Sequence, residues 1–314
     1  MMDAQHVHLL GQLAQDYYFS KMPINKMVEK YSLSRYLILK YLDEALASGI
    51  VEITVHSNYE RSVELEQQLK QHFKIQQLYV IKDPENIGTR DDRVAAFAAI
   101  QAQALIKQCQ IVGLSWGETI YDVISHFAKS ERDDLTFVQF IGENMRYHSS
   151  TGSMRMTQRA ATKYDAHYYT IPGPLYIIND DVRQGFIEEP SIKQTLEVAK
   201  QAQLLICGLG TEESIDSMPL WRAHKASIFP NVDPAQVAGM IYGRPYDING
   251  HFLNKADDKT VGMAISDIQK IPRRFGVVQG KAKFKAALGA LRGELFTDLV
   301  MSEAIALRVL NELN

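Results

Sequence analysis

The stretch Ile24 to Ile53, INKMVEKYSLSRYLILKYLDEALASGIVEI, decides the fold of the amino-terminal part of the chain. Its apolar residues recur at the spacing of two helices: Ile24, Met27 and Val28, then Ile38, Leu42 and Ala45. Ser34 stands just before the second helix and belongs to the residue types that accept the free amide protons of a helix start. The pattern predicts a helix-turn-helix followed by a strand over Ile50 to Val55, which is a small winged-helix-like domain.

The charges in this stretch favour DNA as its partner. Between Ser20 and Tyr41 the only acidic residue is Glu29, and the basic residues are Lys21, Lys26, Lys30, Arg35 and Lys40. The start of the second helix would enter the major groove of double-stranded DNA. The candidate DNA-binding residues are Ser34, Arg35, Tyr36, Leu37 and Lys40. A small helical subdomain without a role in DNA binding is the alternative.

Composition predicts a two-domain globular protein. The chain has 314 residues, of which 46% are hydrophobic and 23% charged, and its formal net charge is −3. DNA binding must therefore be local to the basic stretch and should require two or more copies of the chain. No apolar run approaches the length that spans a membrane, so we expect a cytoplasmic homo-oligomer without a membrane partner. The two cysteines predict buried thiols and neither a disulfide nor a metal site, and no cofactor is expected.

After about Ser57 the chain alternates strands with helices, which is typical of a parallel α/β sheet. The predicted domains are residues 1–57 and 58–314. The strand-like segments are LYVIKD, QIVGLS, LTFVQFIG, LLICGLG and FGVVQG, and the helical segments include YERSVELEQQLKQHF, DRVAAFAAIQAQALIK and about Gly117 to Ala128.

Glycine turns follow several of these strands and predict one shared pocket for an anion. Backbone amides at such turns face the space beyond the carboxyl ends of the strands, where open α/β sheets bind ligands. Ser115 and Thr119 are the leading ligands, and Lys283 would supply a positive charge. Plain strand-to-helix connections are the alternative, and Trp116 and Trp221 could stack on a sugar or pack in the core. The candidate effector-binding residues are Gly113, Ser115, Trp116, Gly117, Glu118, Thr119, Gly142, Gly208, Gly210 and Lys283.

The sequence resembles the SorC/DeoR-type bacterial transcriptional regulators over nearly its whole length. The resemblance is carried, in order, by SRYLILKYLDEALASGIVEI, GLSWGETI, FVQFIG, IPGPL, ICGLGT, YDINGHF, VVQGKAKFKAAL and the final Thr297-Asp298. It implies a Rossmann-like effector domain similar to sugar-phosphate isomerases and deaminases, a phosphorylated sugar as effector, and tetramers. Residues of GLSWGET, with Gly142, Gly208, Gly210 and Lys283, match positions of the family's phosphate site.

Four positions depart from the family pattern. Met240 stands where the family usually has an aspartate, and Glu118, Asn144 and Gln158 are the candidates to replace that carboxylate. Ile141 stands where some relatives have a lysine that holds an aldehyde covalently, which predicts noncovalent binding here. Leu37 and Leu39 replace small polar residues, so base contacts are expected to include thymine methyl groups.

Together these observations predict a transcriptional regulator of a carbohydrate or polyol operon, with a repressor preferred over an activator. A phosphorylated sugar or polyol would control its affinity for operator DNA. The alternative is an isomerase- or deaminase-like enzyme with an attached DNA-binding segment, for which Glu118, Glu143 and Asp298 are the available acid and base groups. A scaffold with a degenerate pocket is a third possibility. We expect a protein without catalytic residues.

Overall fold

The computed structural model describes residues 4–51, 59–83, 92–144 and 153–313. The chain divides into two compact units, residues 1–58 and 59–314. Within the described ranges, no helix is both long enough and apolar enough to cross a bilayer.

The amino-terminal unit consists of helices. They are α1 (Ala4–Ala14), a π-helical turn (Gln15–Phe19), α2 (Ile24–Tyr31) and α3 (Arg35–Ala47). Ser34 caps α3, because its Oγ accepts a hydrogen bond of 3.2 Å from the backbone amide of Leu37. Ser32 adopts the left-handed conformation with φ of 52°, which ends α2 and turns the chain toward α3.

A single apolar core joins these helices. Its buried residues include the predicted Met27, Ile38, Leu42 and Ala45, and α1 adds Leu10, Leu13 and Ala14. The two predicted helices and their shared core are therefore confirmed. Most of the predicted strand over Ile50 to Val55 lies outside the described residues.

The second unit contains a seven-stranded parallel sheet with the order β1-β9-β8-β5-β2-β3-β4, and a separate antiparallel hairpin, β6-β7. The strands are β1 (Gln77–Ile81), β2 (Ile111–Leu114), β3 (Thr136–Gln139), β4 (His167–Tyr169), β5 (Leu204–Gly208), β6 (Gly239–Ile241), β7 (Arg244–Tyr246), β8 (Arg273–Val278) and β9 (Asp298–Ser302).

Helices cover both faces of this sheet. They are α4 (Val63–His72), α5 (Arg93–Ile106), α6 (Glu118–Ser125), α7 (Ser153–Tyr164), α8 (Asp180–Glu188), α9 (Pro190–Lys200), α10 (Glu212–Asp216), α11 (Pro219–Ala223), α12 (Lys225–Ile228), α13 (Ile265–Ile268), α14 (Phe284–Arg292) and α15 (Glu303–Asn311), with 3₁₀ turns at Pro234–Gln236 and Lys281–Lys283. One core packs α5, α6 and α7 against the sheet, and the other packs α4, α9, α14 and α15. The predicted parallel α/β class is confirmed.

The sequence analysis did not identify β4, β9 or the β6-β7 hairpin. Strand β4 is short and largely exposed, so it has little apolar pattern. Strand β9 is buried along its whole length, yet it begins with Asp298, which does not fit a run of apolar residues. In the structure Asp298 is 1% exposed and forms a bidentate ion pair with Arg273 of the neighbouring strand β8.

This ion pair corrects one prediction. Asp298 was a candidate acid or base, but it lies at the amino end of β9, on the opposite edge of the sheet from the glycine turns. Its partner Arg273 is the first residue of β8. The Oγ1 of Thr297 donates a further hydrogen bond of 2.7 Å to the Asp298 carboxylate. The group therefore has a structural role.

Replacing Asp298 with Asn should lower the free energy of unfolding by roughly 2 to 3 kcal/mol, because Arg273 would lose its charged partner. This is less than the value typical of fully buried pairs, since the Arg273 side chain is 32% exposed. Urea unfolding followed by circular dichroism measures the change. Asp134→Asn is the matched control at the exposed Arg132–Asp134 pair and should leave the midpoint nearly unchanged. Equal midpoints for Asp298→Asn and the parent would contradict the assignment.

Candidate functional site

A cavity of about 460 Å³ lies at the carboxyl ends of β2, β3, β5 and β8. Strands β2 and β5 are adjacent in the sheet, although β3 and β4 lie between them in the sequence. The connection after β2 leads to α6 on one face, and the segment after β5 leads to α10 on the other. The cavity therefore occupies the switch point of the sheet, which is the usual ligand site of open α/β folds.

The turn between β2 and α6 forms one end of the cavity. Gly117 precedes α6 with φ of 128°, and a Cβ placed there would meet no atom within 4 Å. The first-turn amides of α6 have no acceptor inside the helix, and the helix dipole adds partial positive charge to them. Ser115 and Thr119 are both buried and line the cavity, and neither side chain has a hydrogen-bond partner among the described residues. This end can bind an anion.

Lys283 approaches the same end from the 3₁₀ turn after β8. Burial lowers the pKa of its ammonium group, while the nearby Glu118 carboxylate acts in the opposite direction. Lys283 has no ion-pair partner within 4 Å in the part of the chain that the structure describes. Its neighbours Lys281 and Lys285 are exposed and do not line the cavity. A desolvated ammonium group without a partner is the arrangement that an anionic ligand would stabilise.

Aromatic side chains also line the cavity. The ring centroids of Trp116 and Trp221 are 6.0 Å apart, and Tyr176 packs edge-on against Trp221 at 5.2 Å. The Nε1 of Trp116 donates a hydrogen bond of 2.9 Å to the carbonyl of Gly142. Both tryptophans of the chain therefore belong to the cavity wall as well as to the packing around it.

Segment 208–218 completes the wall next to the hairpin. A pair of backbone hydrogen bonds, 3.0 and 2.9 Å long, links Gly210 to Met240 of β6. The Met240 side chain is 7% exposed and lines the cavity. Gly208 lies next to α6, where a Cβ would be in ordinary van der Waals contact at 4.0 Å from the Cβ of Thr119.

The structure brings eight of the ten candidate effector-binding residues together around this cavity. They are Ser115, Trp116, Gly117, Glu118, Thr119, Gly208, Gly210 and Lys283. Gly113 and Gly142 lie behind the wall instead. A Cβ on Gly113 would come within 2.3 Å of a Leu205 methyl carbon, and one on Gly142 within 2.5 Å of the Pro174 carbonyl oxygen. Both glycines are required for packing.

The candidates to replace the family's aspartate are placed differently. Glu118 and Asn144 line the cavity, whereas Gln158 is exposed on α7 and does not. Glu143 is buried beside the wall, its Oε1 has no hydrogen-bond partner within the described ranges, and burial raises its pKa.

The sequence analysis missed most of the lining supplied by segment 211–218. This segment begins with Thr211, Glu212, Glu213 and Ser214, a start that resembles a helix-capping pattern, and the structure contains the reciprocal cap between Thr211 and Ser214. The capping pattern directly after the Gly208–Gly210 turn was the available signal. Tyr176 and Met218 carried no distinct signal, because a buried aromatic or methionine residue is equally common in a core.

Fold and cavity define a parallel α/β ligand-binding domain. Residues 57–311 match the model of the family described as "Putative sugar-binding domain", and the chain belongs to this family. The predicted resemblance is thereby confirmed at the level of the family.

Named relatives match nearly the full length of the chain. The sorbitol operon regulator of Klebsiella pneumoniae is 24% identical over 316 residues, which cover 98% of each protein. The deoxyribonucleoside regulator of Bacillus subtilis is 25% identical, covering 99% of this chain and 100% of the relative. The crystal structure of the full-length sorbitol operon regulator SorC from K. pneumoniae is similar with a TM-score of 0.69 and 22% identity, covering 98% of this chain and 100% of that one. It supports the fold.

The buried environment of Lys283 predicts the direction in which the pKa of its ammonium group is shifted. Its pKa should lie below the ordinary lysine value of 10.5, because burial disfavours the charged form. Competitive amine labelling over a pH series, read by mass spectrometry, measures this. Glu118→Gln should lower the pKa further, since the carboxylate favours the ammonium form, and a Lys283 that titrates at or above 10.5 would contradict the described environment.

Proposed function

We propose that this protein is a DNA-binding transcriptional regulator of a carbohydrate operon, with operator affinity controlled by a phosphorylated sugar. Residues 58–314 would bind the effector, and residues 1–57 would bind operator DNA as part of a cytoplasmic homo-oligomer. The observation that carries the proposal is the cavity at the switch point, where two hydroxyl groups, the start of α6 and Lys283 converge, and where Lys283 has no direct ion pair with any described residue.

The amino-terminal unit supports the DNA part of the proposal. Arg35, Tyr36, Leu39 and Lys40 are exposed on α3, while Ile38 on the opposite side is fully buried. Residues three and four apart lie on the same face of a helix, so these side chains form one surface. Leu37 is only half-buried and lies at the margin of that surface. Arg35 and Lys40, the two charged residues of this surface, can contact phosphates or guanine edges, and Leu39 can contact thymine methyl groups.

The names of the relatives agree with this proposal, because they are regulators of a sorbitol operon and of deoxyribonucleosides. Enzymatic activity is not proposed. Asp298 is held by Arg273 at the opposite edge of the sheet, and Glu143 does not line the cavity. Glu118 is therefore left without either of the other two acidic groups that the enzyme hypothesis required.

The effector would control operator binding by thermodynamic linkage. An effector that binds one arrangement of the oligomer more tightly shifts the population that can span two half-sites. The same coupling free energy acts in both directions, so operator DNA should change effector affinity by the same factor. Repression relieved by the effector is our preferred direction.

Arg35→Ala and Lys40→Ala should each weaken binding to a duplex that the full-length protein selects from a random pool. A base-contacting arginine contributes about 1 to 3 kcal/mol, and a phosphate-contacting lysine would reduce the salt dependence of binding. Fluorescence anisotropy over a salt series measures both effects. Lys129→Ala removes an exposed lysine of the second unit and should leave DNA affinity unchanged. If both α3 variants bind DNA with the affinity of the parent, this surface is not the DNA-binding surface.

Lys283→Ala and Thr119→Val should each weaken sugar-phosphate binding by roughly 1.5 to 3 kcal/mol, because the phosphate loses a charge-assisted or hydroxyl partner. Quenching of tryptophan fluorescence provides the measurement, since both tryptophans line the cavity. DNA binding without effector should persist in both variants.

The controls stay close to the mutated groups. Lys285→Ala removes an exposed charge two residues from Lys283, and Thr119→Ser keeps the hydroxyl, so both should bind like the parent. If Lys283→Ala and Thr119→Val also titrate like the parent, or if the dephosphorylated sugar binds equally well, the phosphate site is elsewhere.

A further inference from the structure

The polar groups that line the cavity differ in whether they have partners. The side chains of Ser115, Thr119 and Lys283 make no hydrogen bond to the described residues. In contrast, the Tyr176 hydroxyl donates to the Gly243 carbonyl at 2.7 Å, and the Tyr242 hydroxyl donates to the Leu295 carbonyl at 3.0 Å.

Other polar groups of the lining also have partners. Thr211 donates from its Oγ1 to Glu213 at 3.0 Å and from its backbone amide to the Ser214 Oγ at 3.2 Å. Asn144 and Ser217 each have an interaction within the protein as well. The Trp116 indole donates to Gly142. Each of these groups therefore already has a partner within the protein.

Apolar and aromatic side chains line the cavity together with these polar groups. They are Trp116, Tyr176, Met218, Trp221, Met240 and Ile241. We call these six residues the apolar wall. A ligand hydroxyl that faced the apolar wall would lose its water without gaining a partner, which weakens binding.

We infer that the effector is a ring-form sugar phosphate that places a C–H-rich face against the apolar wall, rather than an open-chain polyol phosphate. This inference rests on the proposed function, because it assumes that the phosphate occupies the Lys283 end. A sugar ring directs its C–H groups toward one face, which can stack on an aromatic ring and bury apolar surface. An open chain projects hydroxyls in all directions. It also loses more conformational freedom on binding than a ring does.

The test compares two probes with the same carbon skeleton, 1,5-anhydroglucitol 6-phosphate, which is locked as a ring, and sorbitol 6-phosphate, which is open. Tryptophan fluorescence of the full-length protein measures their affinities, with inorganic phosphate as the reference for the anion alone. We expect the ring form to bind on the order of tenfold more tightly. Met240→Asn, which adds a hydrogen-bonding group to the apolar wall, should reduce this ratio toward one, and Met240→Leu should preserve it.

Trp221→Leu provides a second variant that removes an aromatic surface from the apolar wall and should also reduce the ratio. Unchanged binding of inorganic phosphate shows that each variant keeps its fold and its anion end. Equal or tighter binding of sorbitol 6-phosphate by the parent would overturn the inference while leaving the proposed function in place. A ring preference that survives both Met240→Asn and Trp221→Leu would also overturn it. Failure of both sugar phosphates and of inorganic phosphate to bind would instead contradict the proposed function.

Discussion

The pairing of β2 with β5 is the constraint on which the site depends. Strand β2 pairs with β5 through Val112, Gly113 and Leu114, and the amide of Ser115 continues the ladder with a 3.0 Å hydrogen bond to Ile206. Gly113 has to lack a side chain for this pairing, because a Cβ would collide with Leu205. Since the chain leaves β2 and β5 toward opposite faces of the sheet, a gap opens between their ends. The cavity is a consequence of strand order, and its chemistry depends on the residues placed at its rim.

Charge is distributed over the second unit in two different ways. The Arg273–Asp298 pair lies at the amino edge of the sheet and is internally neutral, and Thr297 donates a further hydrogen bond to the Oδ2 that also accepts from the Arg273 Nε. Lys283 at the carboxyl edge is desolvated and has Glu118 as a nearby, exposed counter-charge without a direct ion pair. Desolvation without pairing costs stability, and a ligand that provides the missing negative charge recovers it. This contrast, rather than the presence of charged residues as such, separates the structural cluster from the candidate binding site.

Much of the fold could be predicted from sequence because its signals are local. The Ser34 cap of α3, the apolar spacing of α2 and α3, and the buried runs that form β2, β5 and β8 are all patterns of residues close together in the sequence. The exceptions depend on distant partners. Strand β9 begins with a carboxylate that is acceptable only because Arg273 lies beside it, and Gly142 is needed only because Pro174 packs against it. The pocket was predicted from its glycine turns, whereas the contribution of segment 211–218 and of Tyr176 depends on how the hairpin and helices fold over the sheet ends.

The contrast between the anion site and the apolar wall also bears on how a regulator of this kind can discriminate between effectors. An anion site made of amides, hydroxyls and a lysine can bind any phosphate monoester, so it provides affinity without distinguishing one sugar from another. Under the proposed function, discrimination would then come from the rest of the lining, where a hydroxyl that faces the apolar wall remains unpaired. Effects of about 1 to 3 kcal/mol per hydroxyl are of the same order as a typical allosteric coupling free energy, about 1 to 3 kcal/mol. A single substitution in the wall, such as one at Met240, would therefore be sufficient to change which sugar phosphate controls the operator without altering the fold or the phosphate site.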